Sequence, residues 1–206
     1  MSEPRAEKLR VAVLISGRGS NMVALIEAAK AADYPAAIVL VLSNNPDAAG
    51  LAFAREAGIA TAVVDHRPFK DDRAAFERAL DAQLQAHRAD FVCLAGFMRL
   101  LTADFVRRWS GRMLNIHPAL LPMFKGLHTH RRALDAGVRE HGATVHFVVP
   151  EMDSGPIVLQ GSVPVNDGDT EESLAQRVLG VEHRIYPQAL RMVAEGRAKF
   201  TPGAAQ

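Results

Sequence analysis

The chain has a single cysteine in 206 residues, so it can form no internal disulfide, and a fold held by crosslinks is excluded. That residue, Cys93, lies in the apolar run Phe91-Val92-Cys93-Leu94-Ala95, where a thiol packs as a small hydrophobe. Neither sign of charge is in excess: 24 basic residues face 23 acidic ones, for a formal net charge of +1 spread along the chain. Such a balance offers no electrostatic footing for nucleic acid or an anionic membrane. No apolar run approaches the ~18 residues of a membrane helix. The stretch after the polar opening MSEPRAEKLR is too short for a signal-peptide core. A cytoplasmic, reducing setting is the expectation. What is present, 49% apolar and 23% charged residues, suits a soluble globular protein. The length suits one α/β domain with a sizeable core, and no repeat, low-complexity segment or linker divides it.

The first half alternates between two periods. Short β-branched or apolar runs at 10–15, 36–42, 59–64, 90–96 and 112–117 read as strands. Helical patterns at 20–32, 47–57 and 71–88 separate them, with Phe76, Leu80 and Leu84 on one face of the last. Near-continuous apolar strands divided by helices imply a parallel sheet covered on both faces. In the second half, 119–130 reads as a long connection into a short helix near 130–136. Runs at 143–149 and 156–165 flank the turn PEMDSG and suggest an antiparallel pair added to the sheet. A closing helix spans about 170–195, with Leu174, Val178, Val181 and Ile185 on one face, and the tail TPGAAQ is expected to be loose. The fold class expected is therefore α/β: a Rossmann-like, mostly parallel sheet with helices on both faces and an antiparallel C-terminal addition. Ligands in such sheets bind beyond the carboxyl ends of the strands. That rule directs attention to Ser16–Asn21, Gly96–Arg99 and Asn115–His117.

Ser16-Gly17-Arg18-Gly19-Ser20-Asn21 joins a strand to a helix, where glycines let backbone N–H groups approach an anion, and Ser20 can cap the helix. A dinucleotide fingerprint fails twice. Met22 stands where the third glycine belongs, and the second strand ends in Ser43-Asn44-Asn45, without an acid for a ribose hydroxyl. A single phosphate on Gly19, Ser20 and Asn21 fits better than NAD, beside the alternative of a purely structural turn.

The segment Asn115-Ile116-His117-Pro118 places an amide and an imidazole on one side of a strand end, with Ile116 turned to the core. An amide N–H can stabilise an oxyanion and an imidazole can move a proton, chemistry that suits acyl transfer. Asp153 is the candidate carboxylate to orient His117, within a polar cluster that also holds His146. A strand end with a satisfied histidine explains the same letters. His128 and His130 invite a zinc reading, against which stand their loop setting and the lack of further ligands at short spacing. His66, His87 and His141 are expected to be solvated, and His183 to pack or cap beside Glu182.

The ordered set VLISGRGSN, VLAGFMRLL, LNIHPALLP, GLHTHRRAL, HGATVHFV, EMDSGPIVLQ and VEHRIYPQAL resembles the folate-dependent formyltransferases over residues 10–190. The resemblance implies one domain over 1–206, with a phosphate-binding half at about 10–110 and a catalytic and folate half at about 111–195. It implies catalytic roles for Asn115, His117 and Asp153, and a phosphate site at Gly19, Ser20 and Asn21. Glu182 would contact the substrate's ribose or glycinamide side. Arg73 and Met98-Arg99-Leu100-Leu101 would line a folate pocket, with Asn115 and Asp153 at its reacting end. The turn at 149–153 would meet the pteridine through its backbone. Within the family, the SGRGSN loop and the VEH helix point to transfer from 10-formyltetrahydrofolate to the amine of phosphoribosylglycinamide. That reaction needs no metal and no nicotinamide, and the chain would act as a monomer or homodimer. Hydrolysis of the formyl folate by water uses the same three residues. The glycine loop, and the lack of the regulatory segment that precedes such deformylases, weigh against it. A non-catalytic folate- or nucleotide-binding protein is the rival of another class. Leu179, Ala119 and Met123-Phe124-Lys125 depart from the commonest family pattern.

Overall fold

The computed structural model describes residues 7–201; the N-terminal residues before them and most of the tail TPGAAQ lie outside. The elements run β1 (Leu9–Ile15), α1 (Ser20–Ala29), β2 (Ala36–Ser43), α2 (Gly50–Glu56), β3 (Thr61–Val63) and α3 (Arg73–Ala86). Then come β4 (Phe91–Leu94), α4 (Ala103–Arg108), β5 (Met113–His117), α5 (Thr129–Asp135), β6 (Glu140–Phe147), β7 (Ile157–Pro164) and α6 (Glu171–Ala194). They build one seven-stranded sheet in the order β3-β2-β1-β4-β5-β6-β7. The first five positions are mutually parallel, and β6 and β7 continue as an antiparallel pair. The expected Rossmann-like α/β class, with its antiparallel addition, is what the chain adopts.

The apolar strand runs are explained by two cores, one on each face. Val11, Val13 and Ile15 of β1 pack on one side with α1, α2 and α6. The intervening Ala12 and Leu14 pack on the other with Phe76, Leu80 and Leu84 of α3 and Phe105 and Trp109 beyond them. Cys93 is fully buried in the first core, as its setting implies. On α6 the expected stripe of Leu174, Val178, Val181 and Ile185 is buried, joined by Tyr186, Ala189 and Leu190.

Four sequence expectations need correction, for Ser20, His66, His87 and His141, and one helix went unread. Ser20 does not cap α1: Gly19 occupies the cap position in the left-handed region (φ 70°), without a side-chain cap, and Ser20 is already helical. Helix α4 lay hidden behind the apolar letters of FMRLL and is announced by Thr102, whose hydroxyl accepts from the N–H of Phe105. His141 is not solvated. Strand β6 begins at Glu140, three residues before the apolar run, and carries His141 into the interior with 1% exposure. His66 and His87 are half-buried, each hydrogen-bonded through Nδ1 to a backbone carbonyl, of Asn44 and Gln83 respectively.

Candidate active site

Three adjacent parallel strands, β1, β4 and β5, end side by side, and the segments after them share the sheet edge where folds of this kind leave a crevice. After β1, the glycine loop turns into α1. Gly19, in a conformation that disfavours any side chain, lets the loop fold tightly over the helix N-terminus. With Gly96 and Met98 it lines a cavity of about 250 Å³ whose wall includes Gly19, Ser20 and Asn21. Backbone N–H groups and the positive end of α1 make this an anion-binding shape. Arg18 adds an exposed guanidinium that has no ion-pair partner among the described residues. The pattern gave Arg18 no role, although a cation inside a glycine loop is a readable signal.

Asn21 is buried and donates through Nδ2 to Glu182 Oε2 of α6 at 2.5 Å. Its own Oδ1 has no partner among the described residues. Burial pushes the Glu182 carboxyl above its ordinary value, and the Asn21 hydrogen bond partly offsets that shift. The crevice floor thus joins two of the expected substrate-contacting residues directly.

At the end of β5, a chain of polar groups closes around the strand. His117 is buried, and its Nδ1 lies 3.4 Å from Asp153 Oδ2. Its Nε2 donates to the carbonyl of Phe124 at 3.0 Å. Both ring nitrogens therefore face acceptors, and the imidazole satisfies both only with a proton on each nitrogen. Asp153 also accepts the N–H of Gly126 at 2.8 Å and stands 3.8 Å from His146 Nε2. His146 donates from Nδ1 to its neighbour's carbonyl, Phe147, which leaves Nε2 bare to accept from Asn115 Nδ2 at 3.3 Å. Burial holds the His146 imidazole below its ordinary value, so the neutral form that this pairing requires is the one favoured. The amide of Asn115 is thereby oriented, with its second N–H left for the crevice. His146 was legible as a member of the cluster but not as the group that sets Asn115.

Asp153 reaches this position through a backbone in the left-handed region (φ 48°), in the turn between β6 and β7. Phe124 and His128 share that conformation in the segment after β5. A bulky residue held there is uncommon and needs surrounding contacts to fix it. Lys125 Nζ donates to Ser154 Oγ at 2.7 Å, and Thr144 Oγ1 donates to the Ala119 carbonyl and accepts the N–H of Leu121. The segment is thus tied down at root and tip.

Residues 96–102, after β4, are fastened at both ends. The N–H of Met98 donates to Ser16 Oγ at 2.7 Å. Buried Glu77 of α3 accepts from the N–H of Thr102 at 2.5 Å and from the Thr102 hydroxyl. Met98 (68% exposed) and Leu100 (62%) stand out from this segment, with Met123, Leu127 and Met152 exposed on the neighbouring ones. Long apolar side chains left in water around a crevice are a ligand-facing feature rather than a packing one. Arg99 and Leu101 are half-buried between them. Arg73 stands apart, exposed at the first position of α3, and among the described residues no hydrogen bond or ion pair ties its side chain to the cluster. His128 is exposed and His130 packs edge-to-face on His141; no group of residues able to hold a metal occurs among the described residues. No described helix is long and apolar enough to cross a membrane.

A family model described as formyl transferase matches residues 9–190. The trifunctional purine biosynthetic protein adenosine-3 of Bos taurus is 53% identical over 94% of this chain, which spans only 19% of that longer protein. The phosphoribosylglycinamide formyltransferase of Escherichia coli (strain K12) is 48% identical over 96% of this chain and 92% of its own. Among solved structures, phosphoribosylglycinamide formyltransferase from Brucella melitensis superposes with TM-score 0.87 at 52% identity, covering 95% of this chain and all of its own. Glycinamide ribonucleotide transformylase 1 from Symbiobacterium toebii gives TM-score 0.90 at 46% identity, covering 94% and 91%. A match that runs from the first strand to the last helix, through both halves of the crevice, makes this chain a member of the formyl transferase family.

Proposed function

We infer that this chain transfers the formyl group of 10-formyltetrahydrofolate to the amine of phosphoribosylglycinamide, giving phosphoribosyl-N-formylglycinamide and tetrahydrofolate. The observation that carries the reading is the linked set Asn115–His146–Asp153–His117 at one end of the crevice, beside a glycine loop shaped for a phosphate at the other. Gly19, Ser20 and Asn21 hold the phosphate, and Glu182 meets the ribose or glycinamide side. Met98, Arg99, Leu100 and Leu101 flank the folate; Arg73, which stands apart from the cluster, joins them on the family resemblance alone. The backbone at 149–153 reads the edge of the pteridine.

The neutral amine attacks the formyl carbon with its lone pair, and the carbonyl electrons move to oxygen. Asn115 and protonated His117 donate hydrogen bonds to the oxyanion as it forms, while Asp153 holds the charged imidazole in place. Collapse restores the carbonyl, breaks the bond to N10, and returns to N10 the proton that the amine has lost. Preorganised donors of this kind act more strongly on the transition state than on the ground-state carbonyl.

The test measures tetrahydrofolate formation from 10-formyltetrahydrofolate with and without phosphoribosylglycinamide. Product only with the amine, and formyl recovered on it, is the expected result. Formate release without the amine would replace the reading with a deformylase. Tight binding of both ligands without turnover would leave a binding protein.

A further inference from the structure

The glycine loop and the segment after β4 meet at one hydroxyl. Ser16, the last residue before the glycine loop, donates to Asn44 Oδ1 at 2.5 Å and accepts the N–H of Met98 at 2.7 Å. A second link is backbone only: the N–H of Ser16 donates to the carbonyl of Gly96 at 3.2 Å. Asn44 is 4% exposed, so its Oδ1 is an acceptor shielded from water. The single hydroxyl proton of Ser16 goes there, and its lone pairs are left for Met98.

Met98 belongs to both halves of the site. It forms part of the wall of the glycine-loop cavity, and it begins the segment Met98–Leu101 that flanks the folate in the reading above, on which this inference rests. The far end of that segment is immobilised by Glu77 on Thr102, so movement at its near end is not dissipated along a free loop. The hydroxyl that holds Met98 thus lies directly before the N–H groups that an anion in this cavity would meet.

We propose that Ser16 is a positioning residue that couples the two substrate subsites, so that filling the phosphate-binding loop pre-orders the folate-flanking segment and the reverse. Coupling of this kind is reciprocal, because each ligand shifts the same equilibrium of one shared joint.

The test uses a pair that cannot react, phosphoribosylglycinamide with tetrahydrofolate, in the full-length protein. Calorimetric titration gives the affinity of each alone and in the presence of the other, and their ratio is the coupling factor. The wild type is expected to show mutual tightening of about fivefold or more, the lower end of typical couplings. Ser16→Ala should bring the factor below about twofold while each ligand alone binds nearly as before. Ser16→Thr, which keeps the hydroxyl, should restore it. Hydrogen exchange on the wild type provides a check independent of any variant: phosphoribosylglycinamide alone should slow exchange at the Met98 amide. An unchanged coupling factor in Ser16→Ala, a wild-type factor near one, or unaltered exchange at Met98 would each overturn the proposal. Turnover measured on the same wild-type preparation separates the two readings. Coupling without turnover overturns the proposed transfer and leaves the joint standing, whereas turnover without coupling overturns this proposal alone.

Discussion

Asn115 has two amide N–H groups and directs one of them to His146, a neutral acceptor behind it. The same contact that orients the amide makes its removal measurable in two ways. Asn115→Ala is expected to lower kcat about 10²–10³-fold, the usual loss for one oxyanion donor of roughly 2.7–4 kcal/mol. A thermal melt on the same variant should show a smaller, separable loss of about 1–3 kcal/mol, because His146 is left unpaired in the interior. A fall in kcat below tenfold would mean that the amide only packs. At this scale the sequence was partly readable. Alternation along a strand put Asn115 and His117 on one side, but nothing in the letters says that a turn some thirty residues later folds back onto them. Asp153 arrives there through a left-handed backbone that only the packed turn fixes. His141 was misread for a related reason. Residue polarity describes an average environment, and the β6 ladder, with Gly142 opposite Ser162, outweighed it.

The elements with continuous apolar runs were the legible ones, since strands buried on both faces leave little ambiguity of period. Short elements whose signal is one capping residue, such as α4, were not. Close approach of backbones is also invisible in sequence, and β6 and β7 supply a case. A Cβ added at Gly142 would lie 2.1 Å from the carbonyl oxygen of Gly161 and 2.9 Å from the Cα of Ser162. Neither neighbour is a movable side-chain end, so relief requires the two strands to part. Gly142→Ala is expected to destabilise the protein by about 3 kcal/mol, the upper part of the usual range for overpacking. Because β6 carries Thr144 and His146, activity should fall with the ladder. Chemical denaturation compared with the wild type tests this, and a midpoint shift smaller than the error would mean that the ladder accommodates the methyl group without cost.

Taken as a whole, the molecule holds more uncharged histidine than its composition suggests. Burial lowers His130, His146 and His183, and brings His141 down to about 4. An unfolded chain binds these protons near pH 6.5. Between that value and the lower folded ones the unfolded state holds more protons, so stability is complete above about pH 6.5 and is lost as the pH falls through this window. Each such histidine contributes up to about 1.4 kcal/mol per pH unit. Glu182, raised by burial, works in the opposite direction as it takes up a proton, but it is one group against four. The melting temperature is expected to hold from pH 7.5 to about 6.5 and then to fall toward pH 4.5, with a shallower slope in His141→Gln. A flat or rising profile would show that these side chains reach solvent.

The carbonyl of Phe124 already occupies the Nε2 proton of His117, so any oxygen that seeks this donor enters as a competitor. A neutral formyl oxygen exchanged for a neutral peptide oxygen gains almost nothing, since one ordinary hydrogen bond replaces another. An oxyanion gains, because a hydrogen bond to a charged acceptor is about twice as strong. If His117 acts as proposed, the incumbent sets a threshold: the resting substrate would fall short of it, and only the tetrahedral species would displace the peptide carbonyl. Discrimination between ground and transition state would then lie in what the imidazole must give up, as well as in what it offers.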